Sequence, residues 1–328
     1  MELSTPVSIP KPRFTFEYGN QIMLFGSCFA ENIGSKLEDS KFTVDLNPFG
    51  TLYNPASVAL ALRKLFQPER FTGKDLFQHG EIYHSFSHHS KFSSTSEAEC
   101  LENINERLFA SSERLRQANR LVITFGTAYV YKLKENGQIV SNCHKLPEKM
   151  FTRELLPVQD IVENWQKLLL SLWEQNPELK VLFTVSPIRH WKDGAHGNQI
   201  SKATLLLAIE QLQKSYATHI EYFPAYEIMM DELRDYRFYA DDMLHPSSLA
   251  IEYIWQGFKE NYLSQESLAI LKEWNDIKKA LNHKPFQPES DAYRQFISQT
   301  LLKMERISRK IASFDISKEY ELVKSKLK

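Results

Sequence analysis

The chain has 328 residues, and its 40 Lys and Arg against 41 Asp and Glu leave a formal charge of −1. Hydrophobic residues make up 42% and charged residues 25%, the balance of a globular chain long enough for one large domain or two modest ones. Disorder, a collagen-like fibre and a disulfide scaffold are excluded, and the lack of a basic excess argues against binding to nucleic acid.

Cys28, Cys100 and Cys143 form no CxxC pair, so a reducing compartment and no thiol-ligated metal are expected. The first residues lack a basic region followed by an apolar one, and no stretch reaches the roughly 18 apolar residues of a membrane span. A soluble cytoplasmic protein that engages no membrane is expected.

No fixed-period repeat is visible, and short apolar runs alternate with amphipathic stretches. Residues 21–25 predict a strand ending at Gly26, followed by a helix with Phe29, Ile33 and Leu37 on one face. Residues 42–45 predict a second strand, 47–50 a turn, and 55–66 a helix with proline in its first turn. Further strands are expected over 121–124, 180–185 and 219–222, with helices over 158–173 and 203–216 between them. Strands separated by helices predict crossover connections and a mostly parallel sheet.

Two segments depart from this rhythm. An insertion over about 75–95 carries His84, Phe86, His88 and Phe92 at even spacing, as on one strand face. Residues 129–144 predict a hairpin turning at Asn136-Gly137. Beyond an α/β domain over 1–260, residues 261–328 predict a helical C-terminal extension with Tyr293, Ile297, Leu301, Met304, Ile307 and Ile311 as an apolar stripe. Residues 303–328 hold eight basic and four acidic side chains, a local +4 that leaves −5 for the remainder. That pattern reads first as a solvated helix docked on the body and second as a partner contact.

In an open parallel sheet, ligands bind beyond the carboxyl ends of the strands. The first strand delivers Ser27 and Cys28 there. Serine can cap the following helix, and a thiol in the first turn sits in the positive end of the helix dipole, which lowers its pKa and offers N–H donors to an oxyanion. Both residues are candidate nucleophiles; the plainer alternative is a cap and a small buried apolar thiol. Late in the chain, Asp242 precedes His245 by three residues in a polar loop before a helix predicted over 247–258. That spacing lets a carboxylate orient an imidazole whose other nitrogen serves a nucleophile; an ordinary surface pair is the alternative.

Phe25-Gly-Ser-Cys-Phe-Ala30 resembles the motif that names the GSCFA family, and Asn32-Ile-Gly34, Asn47-Pro-Phe-Gly-Thr51, Phe125-Gly-Thr-Ala128, Ser186-Pro-Ile-Arg-His190 and Asp242-x-x-His245 are similar to it too. The resemblance spans about residues 20–260. It implies a branch of the SGNH/GDSL hydrolase-like superfamily, with a flavodoxin-like three-layer α/β/α sandwich. By position it implies Gly50 as an oxyanion donor, Asp242 as the orienting acid and His245 as the general base. The superfamily's Gly-Asp-Ser block aligns Cys28 with the nucleophile and Ser27 with the capping Asp, while a one-residue shift makes Ser27 the nucleophile. Its Gly-x-Asn block falls on Gly126-Thr127-Ala128, where the amide is missing and the Thr127 hydroxyl or Asn142 would have to substitute.

His84, His88 and His89 suggest metal ligation, but only Glu81 lies near them as a carboxylate, and no metal is expected. His88 is instead a candidate substrate contact. Arg189 and His190 end the fourth strand, where arginine can fork onto a carboxylate or phosphate. Tyr53, Tyr129 and Trp191 are candidate cleft walls able to stack on a sugar. No Gly-rich phosphate loop occurs, so no nucleotide cofactor is expected. The expected function is an ester hydrolase or acyltransferase acting on a small-molecule or carbohydrate ester. The alternatives are a non-catalytic binding protein of the same fold and a scaffold working through its C-terminal helices. No oligomeric state is specified.

Overall fold

The computed structural model describes residues 5–327. In chain order its elements are β1 (Gln21–Gly26), α1 (Cys28–Asp39), β2 (Thr43–Leu46), α2 (Pro55–Phe66), β3 (Phe77–His79), β4 (Ile82–His84), α3 (Glu97–Gln117) and β5 (Arg120–Phe125). There follow β6 (Tyr129–Leu133), β7 (Ile139–Val140), β8 (Phe151–Leu155), α4 (Val158–Gln175), β9 (Lys180–Val185), α5 (Gly194–Ser215) and β10 (Ile220–Phe223). The last part is helical: α6 (Ala225–Glu227), α7 (Ser248–Tyr262), α8 (Gln265–Asn282), α9 (Asp291–Lys310) and α10 (Ser317–Leu327).

Five strands form one parallel sheet in the order β10-β9-β5-β1-β2. Counted along the chain, this is the flavodoxin-like order, and its direction reverses between β1 and β5, where such folds open a ligand crevice. The three inner strands read as unbroken apolar runs because both faces are covered. Their alternate residues divide between two layers. Met23, Phe25, Ile123 and Phe183 face α2, α3, α4 and α5, whereas Ile22, Leu24, Val122 and Leu182 face α1 and α7. The expected α/β/α sandwich is therefore present.

The second layer continues outward through Trp274 of α8, Ile297 and Met304 of α9, Phe314 in the segment that follows it and Val323 of α10. The Trp274 indole donates to Asp39 O at 3.1 Å, and Lys41 meets Glu319 at 2.9 Å, so the C-terminal helices are tied to the end of α1. The basic surplus near the C-terminus is largely paired: Arg306 contacts Glu273, and Lys310 lies 2.8 Å from Glu266, both acids belonging to α8. No helix among the described residues is long and apolar enough to cross a membrane.

Two small antiparallel sheets decorate the carboxyl edge. The predicted hairpin exists as β6–β7, and β8 pairs with the other side of β6. In the insertion, β3 and β4 form a short hairpin that ends at His84. Phe86, His88 and Phe92 thus do not share one strand face; they belong to a turn and a short helical loop that fold back onto the body. The helix α3 was absent from the sequence-based expectation, although Cys100, Ile104, Leu108 and Leu115 are its buried face. Its polar majority masked that stripe.

Candidate active site

At the end of β1, Gly26 has φ +145° and a Cβ there would fall 2.4 Å from Thr124 O, so only glycine lets β1 turn against β5. The chain then bends at Ser27, whose extended backbone and side chain cap α1: its Oγ accepts the Phe29 N–H at 3.3 Å and donates to Ser186 Oγ at 3.1 Å. Ser27 is fully buried. Cys28, one residue on, is half-buried as the first residue of α1 and faces a cavity of about 720 Å³ at the carboxyl ends of the sheet. Its backbone N–H belongs to the first helical turn, where no intrahelical partner exists.

Burial raises the Cys28 thiol above its ordinary range, and the Glu31 charge adds to this. The Tyr53 hydroxyl and the residue's own N–H pull the other way without overcoming it. A preformed thiolate, anticipated from the helix dipole alone, is thus not favoured: Glu31 sits in the same first turn and cancels the dipole's help.

Asp242 and His245 form a compact loop. Met243, between them, takes φ +59°, an uncommon conformation for a residue with a side chain. This bend lets Asp242 Oδ1 accept the N–H groups of Leu244 and His245, each at 2.9 Å, while Oδ2 lies 2.5 Å from His245 Nδ1. Those bonds hold the Asp242 carboxyl at about 2, first through the backbone donors and then through the imidazole. Ala240 N–H donates to His245 O at 2.8 Å, and Arg189 N–H donates to Leu244 O at 3.3 Å, which anchors the loop to the end of β9. His245 lines the same cavity as Cys28. Among the described residues, its second ring nitrogen has no protein partner.

The oxyanion residues suggested by resemblance fare differently. Gly50 does not line the cavity; its N–H is spent on Asn47 O at 2.8 Å, and its φ of +79° serves the turn that packs against His89. The N–H groups of Gly126 and Thr127 both donate to Tyr53 O, at 2.8 and 2.9 Å. The Thr127 hydroxyl lies 3.0 Å from Ser201 Oγ and accepts the Tyr129 N–H at 3.1 Å, so it too is held within the scaffold. Asn142 does line the cavity, and its Oδ1 accepts the His144 N–H at 2.8 Å.

His88 is corrected from a substrate contact to a core ring. It is buried, stacked 4.5 Å from Phe49, edge-on to Phe71 and Phe92, with Nδ1 3.0 Å from Ser85 Oγ. Burial, helped by the nearby His144, lowers its pKa to about 3. His89 lines the cavity in its place. Arg189 and His190 both line it as expected, with the Arg189 guanidinium 5.0 Å over Trp191. Burial lowers His190 to about 3, Lys202 and Arg153 adding their charges, so this imidazole is neutral; its Nε2 is buried without a partner. Among the described residues no cluster of His, Cys, Asp and Glu is arranged to hold a metal ion.

Lys202 escaped the sequence reading. It lies 1% exposed on α5, donating to Gly126 O at 2.6 Å and Ser186 O at 2.7 Å, and so ties the ends of β5 and β9 together behind the site. Burial lowers its pKa to about 7. The signal was its register: Asn198, Ser201, Lys202, Leu205, Ile209 and Leu212 are all buried, which puts a lysine on the apolar face of a helix.

The GSCFA family model matches residues 21–258, and that of the GSCFA domain protein C-terminal domain matches residues 274–328. No curated protein matches the chain. Among solved structures, a protein from Streptococcus pneumonia provisionally described as a platelet activating factor aligns at 12% identity over 74% of this chain and 83% of its own, with a TM-score of 0.38. A Clostridium thermocellum family 3 carbohydrate esterase aligns at 11% identity over 77% of this chain and 97% of its own, with a TM-score of 0.34. With the first family match covering most of its length and the second its C-terminal helices, the chain belongs to the GSCFA family.

Proposed function

We propose that this protein is an SGNH-like hydrolase or acyltransferase of esters in which Cys28 is the nucleophile, His245 the general base and Asp242 its orienting acid. The observation that carries the reading is the Asp242–His245 pair at 2.5 Å, facing the cavity onto which Cys28 opens at the head of α1. Ser27 acts as the cap, since its oxygen is buried and bonded on both sides.

Because the thiol rests protonated, attack requires a base. Cys28 Sγ adds to the ester carbonyl carbon as its proton passes to the free nitrogen of His245, and the carbonyl π pair moves onto oxygen. The Cys28 N–H and the Asn142 amide are the available donors to that oxyanion. Collapse breaks the C–O bond, and the leaving alkoxide takes the proton from His245. Water, or another hydroxyl in a transferase, then attacks the thioester with His245 again as base; the C–S bond breaks, the Cys28 thiolate takes the proton back from His245, and the acid or the transferred ester is released. Tyr53, Tyr129 and Trp191 line the cavity and offer faces for a sugar ring, consistent with an O-acyl carbohydrate.

A second reading is favoured by the committed amides of Gly50, Gly126 and Thr127 and by Ala128 in the place of an amide side chain: a cavity that binds an ester without turning it over. Labelling with a fluorophosphonate and a chloroacetamide, mapped by mass spectrometry, separates the two. Modification of Cys28 with loss of short-ester turnover in His245→Ala supports catalysis. Undiminished turnover in that variant rules the mechanism out, and ligand binding without turnover in the native protein supports the second reading.

A further inference from the structure

Four cationic side chains line the cavity, Lys145, Arg153, Arg189 and Lys192, against one carboxylate, Glu148. Two of the four are neutralised. Arg153 pairs with Asp193 at 2.6 Å and also bonds the Tyr131 hydroxyl, and Lys192 pairs with Glu148. Lys145 is exposed at the rim, where water screens it. Arg189 is different. Among the described residues its guanidinium donates to no protein oxygen and has no carboxylate within ion-pair distance, and its Nε is buried without a partner.

The surroundings of Arg189 hold the cation in place without satisfying it. Trp191 lies beneath the guanidinium at 5.0 Å, and the backbone N–H is fixed to Leu244 O, one residue from His245. Of the other groups near it, the Tyr226 and Tyr239 phenols are raised by burial, remain protonated and supply no counter-charge. His190 is neutral, and the Asp242 carboxylate is taken up by His245 and two backbone amides. A half-buried cation with its donors unspent, beside the group that would protonate the leaving alkoxide, is a binding site for an anion.

We propose, resting on the esterase reading above, that the ester taken by this site carries a carboxylate or phosphate close to the scissile bond, and that Arg189 is the specificity-determining residue that binds it through a bidentate fork.

Two matched pairs of esters test this. 4-Nitrophenyl hemisuccinate against 4-nitrophenyl butyrate places the anion on the acyl half, and 2-carboxyphenyl acetate against phenyl acetate places it on the leaving half. In native protein at low salt, kcat/KM for the anionic member of at least one pair exceeds that of its neutral partner by about tenfold or more, the worth of one charge-assisted fork. Arg189→Gln brings that ratio near one, chiefly through KM, and Arg189→Lys restores part of it. Equal values within both pairs, or a preference that survives Arg189→Gln, overturns the proposal while leaving the hydrolase reading standing. If no ester is turned over, calorimetry with succinate and inorganic phosphate decides: binding lost in Arg189→Gln keeps the anion site although the hydrolase reading falls, and no binding of either overturns it.

Discussion

Ser27, Ser186 and Lys202 are buried at the same strand ends where Cys28, Arg189 and His245 line the cavity, Ser27 itself forming part of its wall, and the two groups are built in opposite ways. In the buried group every bond found is internal: Ser27 donates to Ser186, and Lys202 donates to two strand-end carbonyls. In the open group, among the described residues, the second nitrogen of His245 and the Arg189 guanidinium have no protein partner and the Cys28 N–H meets only its own thiol, while the Asp242 side of the imidazole is tied down. Two residues adjacent in sequence, Ser27 and Cys28, fall on opposite sides of this divide. The difference teaches that saturated polar groups hold the shape of the site and unsaturated ones are left for a ligand.

The comparison breaks most sharply at His245. Its replacement by alanine is expected to lower kcat/KM for short esters by about a thousandfold, and Asp242→Asn by about a hundredfold, with folding retained in both. Unchanged rates would place the open group outside catalysis. Next in size, Lys202→Met should cost about 2–4 kcal/mol of stability in urea unfolding, because two buried carbonyls lose their donor. A change below about 0.5 kcal/mol would mean that the buried group is not a structural tie.

A pH experiment sharpens the contrast between buried and open histidines. His88 has a folded pKa of about 3 against its ordinary 6.5, so the unfolded chain takes up a proton in that window before the native protein does. Its contribution to stability is therefore complete above pH 6.5 and is lost progressively as pH falls towards 3. His88→Phe should flatten the dependence of stability on pH by about 1.4 kcal/mol per pH unit across that window. An unaltered slope would show that His88 does not titrate as a buried ring. The smallest effect belongs to Ser27→Ala, expected to cost about 1 kcal/mol as a lost cap while ester turnover persists. Complete loss of turnover there, with Cys28→Ala active, would exchange the roles of the two residues.

Much of this was legible along the chain. The parallel strands are unbroken apolar runs because they are covered on both faces, and a run of that kind is visible in any single segment such as 180–185. The Asn54 cap with proline at the next position marks the start of α2, and Asn136-Gly137 marks the β6–β7 turn. The Asp242 and His245 pairing depends on three residues of local chain, so its geometry follows from short-range rules. His88 and Gly50 were misplaced for the opposite reason: whether a ring or an amide is spent internally depends on Phe49, Phe71 and Asn47 folding around it. β8, which completes the small sheet, is polar on much of its length and is defined only by its partner β6.

The sequence by itself determined the order of the five sheet strands and of the helices α1, α2, α4, α5 and α7, the turn glycine at 26, the capped start of α1 and the acid–imidazole spacing, since each rests on local sterics and hydrophobic period. Only the tertiary structure decided which polar groups remain unpaired. Lys202 became a tie between β5 and β9, Arg189 was left without a counter-ion among the described residues, and of the two neighbours that both line the cavity, Ser27 had its hydroxyl bonded to Ser186 and the Phe29 N–H. Each outcome is a sum of desolvation and hydrogen bonding over residues far apart in the chain, and no local pattern contains that sum.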